Sequence, residues 1–364
     1  MIRNKLNNFD VGTLNYFITR AFLTGFLFNA LLNLIRQDSW IIPILGIIIG
    51  IIFTLLIIYI FNYKPNLNFA EKLTSLFNRK LGSILTIIFC IFCFFMCTLT
   101  YLNLNNFIHG QYLSKTPTIA ISIVCIIAIF YTLTKGLNTI AKTGNILFYI
   151  AMILFFISFL GLLPFIKIEN LKPFFTSKPN NYIESLNCFY SFNIVPMLFL
   201  TILPKDKINN PKLKKTLILS FLLSSFTMFI VMFSTLASFG YELTSLYKYP
   251  EFHVLKNISL MGLEARIESI LIIQCIFDFF MFVVLTIYFI ANSIRSISNY
   301  KNINLLYGVL CILLVILTNY FSRYNVYLDD FALKYVKIPV LIFSIVFISI
   351  ICIKIKSNKK NKTN

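Results

Sequence analysis

One carboxylate and one guanidinium lie inside long apolar stretches of this sequence. Asp278 lies in the middle of IIQCIFDFFMFVV, and Arg20 lies within the first apolar stretch, where its long side chain can turn inward. A bare charge at the centre of a membrane helix costs roughly 2.5–3.5 kcal/mol on insertion scales, so Asp278 is predicted to face a cavity or a hydrogen-bond partner. In a cavity it could bind a substrate amine, a proton or a cation. The alternative is an interhelical hydrogen bond to a serine, threonine or asparagine, and both remain open.

Two apolar stretches contain residues that interrupt helices. Gly25 lies in the middle of the first stretch, and Pro196 lies in the sixth, where its ring clashes with the preceding turn. If the two halves of the chain are inverted repeats, these breaks face each other near the membrane midplane. Their free N–H groups could then hold a carboxylate, and their free carbonyls an amine or a cation. A simple kink at Pro196 and a packing contact at Gly25 explain the same residues, so this alternative also remains open.

The interrupted helices lead to a set of candidate ligand-binding residues. We predict that Thr24–Phe26 and Ser191–Asn193 line one pocket with kinked or non-helical backbone. The full set is Thr24, Gly25, Phe26, Ser191, Phe192, Asn193 and Asp278, with Thr98 and Tyr101 as weaker candidates on the third helix. Thr98 and Tyr101 lie one turn apart, and helix packing explains them equally well.

The sequence lacks the common motifs of catalytic and nucleotide-driven sites. It contains no GxxxxGK[ST], HExxH or GxSxG pattern, and its two histidines, His109 and His253, are far apart. No nucleophile, base and orienting group can be grouped, so we predict that the chain is not an enzyme and needs no cofactor. All eight cysteines fall in apolar stretches. Cys90, Cys93 and Cys97 share a helix face without histidine or carboxylate neighbours, which favours packing over a metal site.

The elements that must position these residues are membrane helices. Apolar residues make up 58% of the 364, charged residues only 12%, and the mean hydropathy is +0.83. A soluble fold cannot cover that much apolar surface, and a helix needs roughly 20 apolar residues to cross a bilayer. The sequence predicts one transmembrane domain over residues 1–364 with ten spans. They lie at about 12–34, 41–62, 82–107, 117–134, 145–166, 182–204, 215–239, 267–291, 303–322 and 338–356.

The basic residues indicate an orientation. The net charge is +19, and 20 of the 32 Lys and Arg residues lie in segments that are cytoplasmic if the N-terminus is cytoplasmic, against 11 on the other side. Because positive charge accumulates in cytoplasmic loops, both termini are predicted to be cytoplasmic. The excess of positive charge suits the anionic surface of the lipid bilayer, and we do not expect nucleic acid to be a partner.

Several stretches resemble the spore germination permeases, the membrane B subunits of nutrient germinant receptors in the amino acid–polyamine–organocation transporter superfamily. The longest is KGLNTIAKTGNILFYIAMILFFISFLGLLPFIKIENLKPFF at 135–175. Shorter ones are RQDSW after the first span, ILPKDK after the sixth, and YPEFHVLKNISLMG and ARIESILI around the start of the eighth. The order and spacing of these stretches agree over most of the chain, from about residue 8 to 356.

The resemblance implies a fold, a role and partners. The fold would be an all-α integral membrane protein with ten helices in a LeuT-type 5+5 inverted repeat, whose first and sixth helices are broken. The role would be to bind a small germinant such as an amino acid and to trigger germination, with ion release as one output. The partners would be the receptor's A and C subunits in the inner membrane of the endospore.

The chain departs from the family pattern at two places. Asn193-Ile194-Val195-Pro196 stands where the sixth helix of the family often has a small residue followed by glutamate, and Asp278 stands where a small or apolar residue is usual. Both departures imply a different ligand from that of better-known members. Two other functions remain open: a secondary amino-acid transporter of the same superfamily, and a membrane scaffold without a ligand.

Overall fold

The computed structural model describes residues 5–203, 208, 212–256, 268–298, 300–322, 335 and 337–360. Regular structure in these residues is helical. The α-helices are α1 (Asn8–Arg20), α2 (Phe28–Ile35), α3 (Ile42–Asn62), α4 (Phe69–Leu76), α5 (Arg79–Gln111), α6 (Thr118–Thr134), α7 (Leu137–Leu162), α8 (Pro179–Phe189), α9 (Leu213–Leu246), α10 (Pro250–Lys256), α11 (Glu268–Ser298), α12 (Ile303–Ser322) and α13 (Lys337–Lys360). Short 3₁₀ helices at Arg36–Ile41, Leu163–Phe165 and Ile168–Leu171 connect some of them.

Seven helical segments in the described part of the chain are long and apolar enough to cross a membrane. They are Asn8–Asn62, Arg79–Gln111, Leu137–Phe165, Pro179–Ile202, Leu213–Leu246, Ile273–Ser298 and Ile303–Ser322. The first of them contains α1, α2 and α3, and the 17-residue α6 is a shorter apolar helix beside them. The arrangement is that of an integral, multi-pass membrane protein.

The outer surface of the helices is apolar. Ile48 of α3, Val124 and Ile127 of α6 and Ile312 of α12 each expose more than 60% of their surface. So many exposed aliphatic side chains would drive aggregation in water, whereas lipid tails contact them without cost. These helices therefore form a lipid-facing shell around the buried side chains.

Helix α1 lies inside this shell, packed mainly on α9, α7 and α11. A row of interhelical hydrogen bonds joins it to α9: Asn15 Nδ2 donates to Ser220 Oγ (2.8 Å), and Thr19 Oγ1 donates to Ser224 Oγ (2.7 Å). Without water in the bilayer core, polar side chains must find partners on neighbouring helices. The row holds the first half of the broken segment in register with α9.

Two glycines on α3 allow its close contact with neighbouring helices. A Cβ added at Gly46 would lie 2.4 Å from the Phe189 ring of α8, and one at Gly50 would lie 2.0 Å from the Phe221 ring of α9. The Gly-xxx-Gly spacing puts both glycines on one helix face, where small residues let helices approach in a membrane. This contact brings α8, the start of the sixth predicted span, against the first helices.

A buried lysine joins α4 to the end of α3. Lys72 is 1% exposed, and its ammonium donates to the carbonyls of Ile60 (3.0 Å) and Phe61 (3.3 Å). The last carbonyls of a helix have no partner within the helix and carry the negative end of its dipole. Lys72 satisfies both needs and ties the short helix α4 to the membrane-spanning core.

Candidate functional site

The first membrane segment is broken in its middle. Between α1 and α2, Thr24 (φ −76°, ψ 126°) and Gly25 (φ 70°, ψ 1°) leave the helical region, within a π-helical turn over Leu23–Leu27. The Leu27 N–H donates to the Phe22 carbonyl at 2.9 Å, five residues earlier instead of four. A positive φ is open to glycine because it has no Cβ. The break therefore lies at the residues for which the sequence predicted kinked backbone.

Close packing adds a second reason for glycine at this position. A Cβ on Gly25 would lie 2.2 Å from Cε1 of Tyr249 and 2.9 Å from Oδ1 of Asn103. Asn103 of α5 links the break to Tyr249, since its Nδ2 donates to the Thr24 carbonyl (2.6 Å) and its Oδ1 accepts from the Tyr249 hydroxyl (3.1 Å). The Thr24 carbonyl is thus bonded to α5, and the space beside Gly25 is filled by the tyrosine that precedes α10.

The sixth predicted span changes helix type in its middle. Helix α8 ends at Phe189, a π-helical turn covers Tyr190–Ile194, and a 3₁₀ helix with Pro196 near its start covers Val195–Ile202. The Val195 N–H donates to the Tyr190 carbonyl, five residues earlier. Pro196 has no N–H to offer the preceding turn, which is the physical reason for a distorted ladder just before it.

The two distorted segments lie against each other. The rings of Phe26 and Phe192 are 4.7 Å apart in an edge-to-face contact, and Phe22 lies 5.4 Å from Phe192. Asn193 Nδ2 donates to the Thr19 carbonyl at the end of α1 (2.8 Å), while its Oδ1 is buried without a hydrogen-bond partner among the described residues. Of the predicted residues, the structure therefore brings Phe26 against Phe192, while Asn193 bonds to the end of α1 and Ser191 is buried within the same π-helical turn.

Asp278 faces a cation from another helix. Its Oδ2 lies 3.5 Å from Nη1 of Arg20, and both side chains are nearly fully buried. The same Nη1 donates to the Tyr16 hydroxyl (2.8 Å), and the guanidinium lies 5.7 Å from the centre of that ring. The sequence offered a cavity or a serine, threonine or asparagine as the partner of Asp278, and the structure shows an arginine instead. Arg20 lies about one helical turn before Thr24, so this pair of opposite charges is close to the break in the first helix.

The two weaker candidates on α5 make other contacts. Thr98 Oγ1 donates to the Phe94 carbonyl within α5 (2.9 Å), and the Tyr101 hydroxyl donates to the Ser122 carbonyl of α6. The Thr98 bond thus stays within α5, whereas the Tyr101 bond joins α5 to α6. The side chain that α5 sends to the break is Asn103.

Sequence reasoning missed four residues around the break: Asn103, Tyr249, Glu251 and Cys275. The Cys275 thiol of α11 donates to the Thr24 hydroxyl at 3.2 Å. Glu251 of α10 is 2% exposed, and burial raises the pKa of its carboxyl to about 7, against the opposing effects of its own backbone N–H, the nearby Thr24 side chain and the Arg20 charge. In the sequence, Tyr249 and Glu251 belong to the short stretch Tyr-Pro-Glu-Phe between two apolar stretches. Such a stretch is typical of a loop at a membrane surface and does not indicate a buried site.

The fold is shared with solved transporters of the LeuT fold. A Na⁺-coupled sialic acid symporter in a substrate-bound outward-open state superposes with a TM-score of 0.68 at 12% sequence identity, covering 97% of this chain and 79% of the symporter. A manganese transporter from Eremococcus coleocola superposes with a TM-score of 0.61 at 9% identity, covering 94% and 76%. At such low identity the likeness concerns the fold alone.

Sequence relatives are spore germination proteins. YndE of Bacillus subtilis (strain 168) is 22% identical over 281 residues, 77% of each chain, and KB of the same organism is 21% identical over 339 residues, 90% of each chain. XB of Bacillus anthracis is 22% identical over 285 residues, covering 77% of this chain and 78% of the relative. The sequence profile described as "Spore germination protein" matches residues 17–326. The resemblance seen in the sequence is thereby confirmed, and the chain belongs to the spore germination protein family.

Proposed function

We propose that the chain is the membrane B subunit of a spore nutrient-germinant receptor and that it binds a small germinant, an amino acid, where its two distorted helices meet. The observation that carries this proposal is the non-helical backbone at Thr24 and Gly25, buried in the membrane and packed through Phe26 on Phe192. Broken helices offer backbone N–H and carbonyl groups that a zwitterion needs and that an intact helix uses internally.

The surroundings of the break suit an amino acid. The start of α2, directly after the break, is the positive end of a helix dipole, which favours a carboxylate there. Phe26 and Phe192 offer apolar ring surface to a side chain. Because Asp278 is neutralised by Arg20 in this conformation, a ligand amine would reach Asp278 only by displacing the guanidinium, and that exchange is a means by which binding could change the structure.

Family membership supports the remaining parts of the proposal. They are ten spans arranged as a 5+5 inverted repeat, A and C subunits as partners, and a place in the inner membrane of the endospore. The fold likeness to transporters supports the inverted repeat. That architecture places its ligand at the interface between the two repeats.

A binding experiment tests the proposed site. The purified chain is titrated singly with each of the twenty standard amino acids, and binding is followed by the shift in its thermal unfolding temperature. We expect at least one amino acid to stabilise the chain and Thr24→Val to abolish that shift. Thr132→Val is the matched control, because the Thr132 hydroxyl is also buried but bonds to its own helix at Ala128. Equal shifts in both variants would contradict the assignment of the break as the site.

A secondary transporter is the second candidate, favoured by the fold shared with a Na⁺-coupled symporter. It requires substrate flux into proteoliposomes that contain this chain alone, whereas a receptor subunit requires binding without sustained flux. A scaffold requires neither binding nor a ligand-dependent change. The flux and the binding measurement together therefore separate the three functions.

The proposed orientation has its own test. With both termini in the cytoplasm, residue 359 lies on the cytoplasmic side and residue 178 on the opposite side. Lys359→Cys and Lys178→Cys, each in a background without other reactive cysteines, should react with a membrane-impermeant maleimide from opposite sides of sealed vesicles. Labelling of both from the same side would overturn the topology.

A further inference from the structure

Beneath α10 lies a narrow cavity that the proposed germinant site does not use. Glu251 forms part of its wall together with aromatic and aliphatic side chains of α7, α9 and α10, and with the polar side chains of Ser158, Ser234, Thr235 and Gln274. Its free volume is about 20 Å³. A cavity needs roughly 10–15 Å³ to hold one water molecule, so this one has room for a water but not for an amino acid.

The Glu251 carboxyl is deeply buried without ordinary hydrogen bonds. Neither of its oxygens has a hydrogen-bond partner of good geometry among the described residues, although its own backbone N–H, the Thr24 side chain and the Arg20 charge are near enough to affect its titration. An ionised carboxylate in such surroundings loses its hydration without replacement, whereas the neutral acid loses far less. The nearby positive charge of Arg20 is already engaged by Asp278.

Glu251 shares a chain segment with the tyrosine that covers the break. Tyr249 directly precedes α10, and Glu251 is the second residue of that helix, which packs on α7, α9 and α11. Tyr249 is 4% exposed beside Gly25, and Glu251 is 2% exposed in the cavity. Any outward movement of α10 would expose the carboxyl to water and clear the space beside Gly25 together.

We propose that Glu251 is a proton-binding site and that α10 is a lid over the break in the first helix, closed when Glu251 is protonated. A proton fits the geometry better than a metal cation, because the cavity has room for one water-sized ligand, Glu251 is the one carboxylate in its wall, and the described residues contain no cluster of metal-ligating side chains. The proposal goes beyond germinant binding and does not depend on it.

The sign of the pH dependence follows from linkage. With the lid closed, the pKa of Glu251 is raised to about 7; with the lid open and the carboxyl in water, it returns to its ordinary value near 4.5. The closed state is therefore fully favoured below pH ~4.5 and loses that advantage as the pH rises to ~7, by up to about 300-fold in the closed-to-open ratio. Among the described residues, the charged or titratable groups that act on Glu251 from other helices are Arg20 of α1 and Cys275 of α11, with Asp278 held by Arg20 behind them, and α10 itself carries His253 and Lys256.

Infrared spectroscopy of the purified chain tests the proton site without any germinant. A protonated buried carboxyl gives a carbonyl stretching band. We expect this band at pH 5 and expect it to disappear as the pH rises, with an apparent pKa near 7. The band should be absent in Glu251→Gln. Glu242→Gln is the matched control, because Glu242 is exposed at the end of α9. A band unchanged by Glu251→Gln would overturn the proton site.

Thiol labelling tests the lid. In a chain that keeps Cys275 and has the other seven cysteines replaced, the labelling rate reports access to the space under α10. The rate is divided by that of the same chain with Glu251→Gln at each pH, which cancels the intrinsic ionisation of the thiol. We expect this ratio to rise on the order of 100-fold from pH 5 to pH 8. If Glu251→Gln does not fold, Glu251→Met serves as the uncharged reference, and a ratio independent of pH would overturn the lid.

Discussion

Replacing Gly25 with alanine is expected to destabilise the chain by about 2–5 kcal/mol and to abolish ligand binding. Two costs add at this residue. A left-handed backbone costs a residue with a Cβ roughly 1–2 kcal/mol, and overpacking a filled site costs about 1–3 kcal/mol. The added Cβ would lie 2.2 Å from the Tyr249 ring, so either that ring or the backbone must shift. Thermal unfolding of the purified variant measures the loss.

Two other glycines separate the backbone cost from the steric cost. Gly136 also has a positive φ (83°), but a Cβ there meets nothing within 4 Å, so Gly136→Ala should show backbone strain alone. Gly110 lies in the helical last turn of α5, where a Cβ also meets nothing within 4 Å, and Gly110→Ala should be nearly neutral. If Gly25→Ala is no worse than Gly136→Ala, the close contact with Tyr249 is not important.

The steric part of the cost should be recoverable. Tyr249→Ala removes the ring that the new Cβ meets, so Gly25→Ala with Tyr249→Ala should be more stable than the sum of the two single changes predicts. Residues in direct contact show interaction energies of about 0.5–3 kcal/mol in such cycles. Strict additivity would show that Tyr249 does not restrict the residue at position 25.

Breaking the pair between Arg20 and Asp278 is expected to have an effect of similar size. Arg20→Met leaves the Asp278 carboxylate buried without its cation, and Asp278→Asn leaves the guanidinium with the Tyr16 hydroxyl alone. Removing one partner of a buried pair costs roughly 3–5 kcal/mol, because the remaining charge stays unpaired in a low dielectric. Thermal unfolding and the amount of protein in the membrane measure each variant.

The double variant separates structure from function. Arg20→Met with Asp278→Asn removes both charges, so the double variant should lose much less stability than the sum of the two single losses. If the charges also serve ligand binding, the double variant should still fail to bind or respond to germinant although its membrane level is normal. A normal response of Asp278→Asn alone, with a mere drop in abundance for Asp278→Leu, would instead show that the pair is structural.

The helical class and the family were determined by the sequence. A run of apolar residues on all sides of a helix, as in IIPILGIIIGIIF, can be satisfied only by lipid or by other helices, so composition decides that the chain is a helical membrane protein. The break at Gly25 was also predictable, because glycine is a local signal of non-helical backbone. The distortion before Pro196 was predictable in the same way, since proline lacks the N–H that would bond to the preceding turn.

The tertiary structure decided which of these side chains meet. Successive residues of an α-helix turn by about 100°, so Asn103 points to the break while Tyr101, two residues earlier, points to α6. Hydropathy places both in the same membrane helix and cannot tell their faces apart. The pairing of Arg20 with Asp278 and the burial of Tyr249 and Glu251 depend on how α1, α10 and α11 pack. Helices far apart in the sequence bring these groups together, and no local pattern records that contact.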